Sequence, residues 1–155
     1  MRLKRVVLFA CLFGLQAVSE TVPESPREVR CQFSSGKTIT ITYSPERDGA
    51  ARMATDEDVI TVKGVMIAAG DYEVLPLRAP HNSWALAIKK RTPNGEASES
   101  VSMPMSVKPS AARVRGLSIS FDHTGGSCMM HWLPEDSNVL LSLEFTEENA
   151  DMPVE

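Results

Sequence analysis

No stretch of this 155-residue chain keeps apolar residues at the 3.6-residue spacing of a helix for more than a turn, which leaves strands to build the core. An apolar run long enough to span a bilayer is missing too. The longest, VVLFACLFGL at 6–15, is about half of the roughly 20 residues that a spanning helix requires. Positive charge is in deficit, with 16 Lys and Arg against 20 Asp and Glu for a net charge of -4. Phosphate backbones and anionic lipid surfaces repel such a chain, so neither nucleic acid nor a membrane is an expected partner. The sequence contains no G-x-S-x-G elbow for a nucleophilic serine, no glycine loop with a lysine at phosphate-binding spacing, and no closely spaced histidine pair. No cofactor is expected, and the length suits one domain with a real core.

What is present begins with an export pattern. Arg2, Lys4 and Arg5 precede the apolar run, and Ala17 and Ser19 follow it at the spacing of a cleavage site. This predicts a signal peptide over 1–19 and a flexible Pro- and Glu-rich leader over 20–27. Losing those three cations takes the net charge from -4 to -7. It also reduces the cysteines from three to two, Cys31 and Cys128. An even number in an oxidising compartment favours a disulfide, and the expected location is periplasmic or extracellular.

The segments beyond the leader alternate in polarity with period two. In 29–33 the apolar positions are Val29, Cys31 and Phe33, and in TITITY (38–43) they are Ile39, Ile41 and Tyr43. Further strands are predicted at 59–63, 65–67, 72–77, 83–89, 99–107, 117–121, 127–133 and 138–145, with Gly64 and Gly70 as turn glycines. Pro76 and Pro104 cannot donate to a ladder and imply sheet edges or bulges. The stretch 44–58 carries Pro45, Gly49 and scattered charge. It is read as a loop with at most one helical turn, and an acidic tail is expected over 147–155. Short strands at this spacing predict an all-β fold, an antiparallel β-sandwich of about eight or nine strands in a single domain over 28–146. Parity turns Cys31 and Cys128 into the core, as a bridge between an early and a late strand requires, and makes Tyr72, Trp84 and Trp132 core anchors.

Three blocks give the chain a family likeness. They are SGKTITITYS (35–44), the meander of 59–90 with Val62-Lys63-Gly64, Ile67-Ala68-Ala69-Gly70-Asp71-Tyr72 and Trp84, and LSISFDHTGGSCMMHWLPEDSNVLLSLEF (117–145) with Trp132. In their order the chain resembles the DUF2911 family, secreted bacterial β-domains of unknown function. The resemblance implies an exported β-domain and no particular activity. Between hairpin and meander the family carries a Trp-Arg-Thr-Gly-Ala-Asn-like segment. Residues 48–55 here are shorter and lack that Trp and Asn, so a function carried by that segment does not transfer.

The candidate chemistry is sparse. His81, His123 and His131 are read as solvated surface residues, because a catalytic zinc needs three convergent ligands. Ser127 is explained by the Gly125-Gly126 turn beside it. Asp56, Glu57 and Asp58 lack the ligand spacing of a calcium loop. Met103, Met105, Met129 and Met130 raise copper binding, but Met103 and Met105 alternate as core residues do. The expectation is a non-catalytic binding or accessory module of the periplasm or cell envelope, with an envelope protein or a glycan as partner. The alternative is a glycan-acting hydrolase or lyase whose carboxylates the fold assembles.

Overall fold

A computed structural model describes residues 25–147 apart from 47–49, 57, 62, 95–96, 113, 125 and 136. The expected signal peptide and most of the expected leader and tail lie outside the described residues, as do Asp48 and Gly49 of the divergent segment, Glu57, Val62 and Gly125.

Among the described residues the chain forms eleven strands and no helix: β1 (Arg27–Gln32), β2 (Thr38–Tyr43), β3 (Ala51–Thr55), β4 (Val59–Thr61), β5 (Met66–Ile67), β6 (Gly70–Ala79), β7 (Ser83–Arg91), β8 (Ala97–Pro109), β9 (Ser118–Thr124), β10 (Ser127–Leu133) and β11 (Val139–Glu147). All pairings are antiparallel. The strands run in the order β1-β2-β3-β6-β7-β8-β11-β10-β9, with β4 against β11 and β5 against β4. β1 and β9, at the two ends of this order, lie beside each other. The sheet thus curls until it nearly closes, and the long β8 joins its two halves. The all-β, antiparallel, single-domain expectation holds, with more strands than the eight or nine predicted.

One strand that the sequence did not predict comes from 44–58. Ala51–Thr55 is a strand between β2 and β6, and Ala51, Met53 and Thr55 are buried. Among the described residues of this stretch no helical turn forms. In ARMAT the inward positions are Ala, Met and Thr, so the period-two signal is weak. What makes it a strand is the open ladder of β2 on one side and β6 on the other.

Both prolines sit where a strand has one free flank. β6 pairs with β3 only as far as Val74, so Pro76 is bonded toward β7 alone. β8 pairs with β11 only from Ser106 onward, which leaves Pro104 paired to β7. The hairpin β6–β7 closes through three residues, Pro80, His81 and Asn82, the last two at positive φ (61° and 56°). The Ser83 N–H donates to Pro80 O (3.4 Å) across this loop.

One core collects inward residues from both halves, including Ile39, Ile41, Val74, Leu86, Met130, Trp132, Leu141 and Phe145. Cys31 and Cys128 form a disulfide inside it, with Cα atoms 6.1 Å apart. It ties β1 to β10 across the place where the sheet nearly closes. Trp132 and Tyr72 are buried as anchors, whereas Trp84 is half-buried with the Arg78 guanidinium 5.3 Å from its ring centroid. Trp84 lies next to the β6–β7 turn, so its ring closes the end of the core rather than filling its middle. Of the tail expected over 147–155, only Glu147 is among the described residues. Glu147 belongs to β11, is buried, and accepts hydrogen bonds from the Ser35 backbone N–H (3.2 Å) and hydroxyl.

Candidate functional site

The feature that stands out is a change of partner along β11. Residues 139–142 of this strand pair with β8, while 145–147 pair with β4. Leu143 and Glu144 lie between the two ladders, at the point where β8 has turned away toward β7. A slot of about 210 Å³ opens there through the wall of the sheet, lined by Thr61, Lys63, Met103, Pro104, Ser106, Met129, Ser142, Leu143 and Glu144. Strand parity explains the lining. Met103 and Leu143 belong to the core face, whereas Met129, Ser142 and Glu144 share the outer face, so the slot runs from solvent toward the core.

Thr61 closes its inner end. The residue is 1% exposed, and its Oγ1 is buried without a hydrogen-bond partner among the described residues. Leaving a buried hydroxyl unpaired costs about 1–3 kcal/mol. A core position facing Phe145 would accept valine at the same volume without that cost. Lys63 and Glu144 line the same slot with no ion pair between them among the described residues.

Ser142 is held from behind. Its Oγ lies 2.8 Å from His131 Nδ1, and His131 Nε2 lies 2.7 Å from Asp122 Oδ2. The three side chains form a row across β9, β10 and β11, which the register dictates because Ser142 stands directly opposite His131. The row is graded in exposure, from Asp122 with 72% of its side chain exposed, through His131 with 22%, to the buried Ser142 at the slot. An ionised carboxylate can only accept, so the proton of the neutral imidazole sits on Nε2. Nδ1 is then an acceptor, and the Ser142 hydroxyl donates to it.

This corrects the reading of His131 as a solvated surface residue. It faces outward as its parity implies, but both ring nitrogens are engaged. His81 is instead a turn residue and His123 an exposed one at the end of β9. The Ser127 hydroxyl donates to Thr124 O (3.1 Å), a hairpin contact. Asp58 Oδ1 accepts from the Ala69 N–H at 2.9 Å and braces the loop before β6. No group of three or more His, Cys, Asp or Glu side chains placed to hold a metal occurs among the described residues. Met103, Met105 and Met130 are core residues, and Met129 alone of the four lies on the outer face at the slot.

Sequence reasoning missed Thr61, Ser142 and the role of Asp122. A signal did exist for the row, since the short turn at 134–138 sets the register that places residue 131 opposite 142. Nothing in the sequence marked Thr61, because the fork of β4 and β8 around β11 is a long-range event.

No family model, curated protein or solved structure matches the chain.

Proposed function

We propose that this chain is an exported, non-catalytic binding module and that the slot between β4 and β8 is where it takes its ligand. The observation that carries the reading is Thr61 Oγ1, a buried hydroxyl left unpaired at the inner end of an open slot. A hydroxyl that costs stability when unbound is offset when a ligand pairs with it. A buried disulfide fits a protein that works outside the reducing cytoplasm, in line with the basic and apolar start of the chain. Kinship with the DUF2911 family belongs to the same proposal. Among the described residues that line the slot there is no aromatic ring, and Glu144 is its carboxylate. A sugar, which stacks on rings, and a two-carboxylate glycosidase both fit it less well than a small polar molecule does.

The test is a thermal-shift screen of the oxidised protein against amino acids, short peptides, organic acids and sugars, repeated on Thr61→Val. A compound that raises Tm in the parent and fails to do so in the variant supports the reading. Stabilisation by none of them, or equal stabilisation of both proteins, overturns it.

A second reading rests on the Asp-His-Ser row, whose residue types are those of an acyl hydrolase. Ser142 stands on a regular strand and its contact is to Nδ1 rather than Nε2. Labelling of Ser142 by a fluorophosphonate, abolished in His131→Ala, would establish that reading in place of the first.

A further inference from the structure

The row behind Ser142 decides which kind of hydrogen bond the slot offers. With Nε2–H donating to Asp122 and Ser142 O–H donating to Nδ1, the hydroxyl hydrogen is committed away from the slot. Ser142 therefore presents only lone pairs to whatever occupies it. Glu144, two residues along β11 on the same face, adds an anionic acceptor. Lys63 supplies a cation at the same slot. Acceptors and a cation in one small cavity match a molecule that carries an ammonium and a carboxylate.

We propose that the slot takes a small amine-bearing zwitterion, its ammonium held by Ser142 and Glu144 and its carboxylate by Lys63. This rests on the binding reading above and goes further by naming the ligand class. It also carries a regulatory consequence. Protonating His131 gives Nδ1 a hydrogen, which then donates to Ser142 Oγ. The serine hydroxyl is released and its hydrogen turns into the slot. One proton thus converts Ser142 from acceptor to donor and reverses the preference from ammonium to anion. The charged groups facing His131 from the strands on either side are Asp122 on β9, in contact with it, and Glu144 on β11, diagonal to it. Both are acidic.

The experiment is an NMR titration of the oxidised protein, read at the amides of Met129, Leu143 and Glu144. The probes are L-alanine, ethylammonium and methanesulfonate, at about pH 8 and about pH 5.5, values that bracket an ordinary imidazole. L-alanine and ethylammonium are expected to bind more tightly at the higher pH, with the dissociation constant rising about tenfold on acidification, the scale of one charge-assisted hydrogen bond. Methanesulfonate is expected to show the opposite order. In Ser142→Ala the pH dependence should vanish. In Asp122→Asn the amide no longer dictates which imidazole nitrogen is protonated, and amine binding at the higher pH should fall toward its value at the lower. Methanesulfonate binding tightest at both pH values overturns the inference, and so does a pH response that survives in Ser142→Ala, since it would not run through the serine hydroxyl. A slot that takes other compounds in the thermal screen, yet shows no preference for ammonium, overturns this inference and leaves the binding reading standing. If neither the probes nor the screen engage it, both fall.

Discussion

Tyr72 shows how much one side chain can couple to its surroundings in this molecule. It is buried on the inner face of β6, and its hydroxyl donates to Ala68 O at 2.6 Å. Burial raises its pKa above the usual 10.0, and the nearby Asp58 carboxylate pushes in the same direction. A group whose folded pKa is raised contributes stability that is complete below the unfolded value and is lost as pH climbs through the folded one. Unfolding free energy should hold up to about pH 10 and decline above it, where the unfolded chain ionises its tyrosine first. Tyr72→Phe should lose about 1 kcal/mol near neutrality, the worth of one hydrogen bond, and show a shallower alkaline decline. Urea titrations at a series of pH values measure both effects. Gly116 is another residue whose role only the folded chain reveals. It has φ +77°, and a Cβ there would lie 2.5 Å from Pro45 O, the atom that accepts the Leu117 N–H. Gly64 (φ 71°), by contrast, was recognisable as a turn glycine from the break in hydrophobic pattern around it, whereas Gly70 (φ 145°), also expected in a turn, is the first residue of β6 and pairs with Thr55.

At the scale of the element, turn chemistry and strand pattern set what was legible. The alternation of TITITY is strong enough to name the strand, its buried face and its hairpin with β1. ARMAT is not, because Ala and Thr pass as loop residues and only the ladders of β2 and β6 recruit them. The β6–β7 hairpin supplies a prediction. Two of its three loop residues, His81 and Asn82, occupy positive φ, where Asn and Gly are accommodated at less cost than histidine. The double substitution His81→Asn with Asn82→Gly should stabilise the protein by roughly 0.5–1 kcal/mol, read as a rise in Tm with no change in the far-ultraviolet spectrum. A fall in Tm would mean that the His81 ring makes a contact outweighing the relief of strain. Prolines were informative in the same way. Pro76 and Pro104 implied edges, and each does lie where its strand is bonded on one flank only. What they could not announce is that the free flank beside Pro104 borders a slot.

At the scale of the whole molecule, near-closure of one sheet places the first strand beside the last third of the chain. The disulfide between Cys31 and Cys128 fixes that arrangement and spans 97 residues of sequence. Constraining so long a loop reduces the freedom of the unfolded chain, and its reduction should cost about 2–5 kcal/mol. Denaturation with and without reductant, compared with Cys31→Ser/Cys128→Ser, measures it. Loss in the reduced protein and the double variant should agree, with the slot residues remaining folded under native conditions if the core suffices on its own.

The amino-acid sequence by itself determined the parts of this protein that depend on near neighbours. Period-two alternation gave an all-β chain, glycine and proline placed most turns, and parity directed Cys31 and Cys128 into one core. These follow from pleat geometry, which repeats every two residues and needs no knowledge of distant partners. Tertiary structure decided everything that depends on which strands meet. It made a strand of 51–55, closed the sheet far enough for the disulfide, and lined up Asp122, His131 and Ser142 across three strands. It also split β11 between two partners and so left Thr61 facing an opening. A site built at the divergence of two ladders is a property of pairing, and pairing between residues as distant in sequence as Thr61 and Phe145 leaves no local trace in the chain.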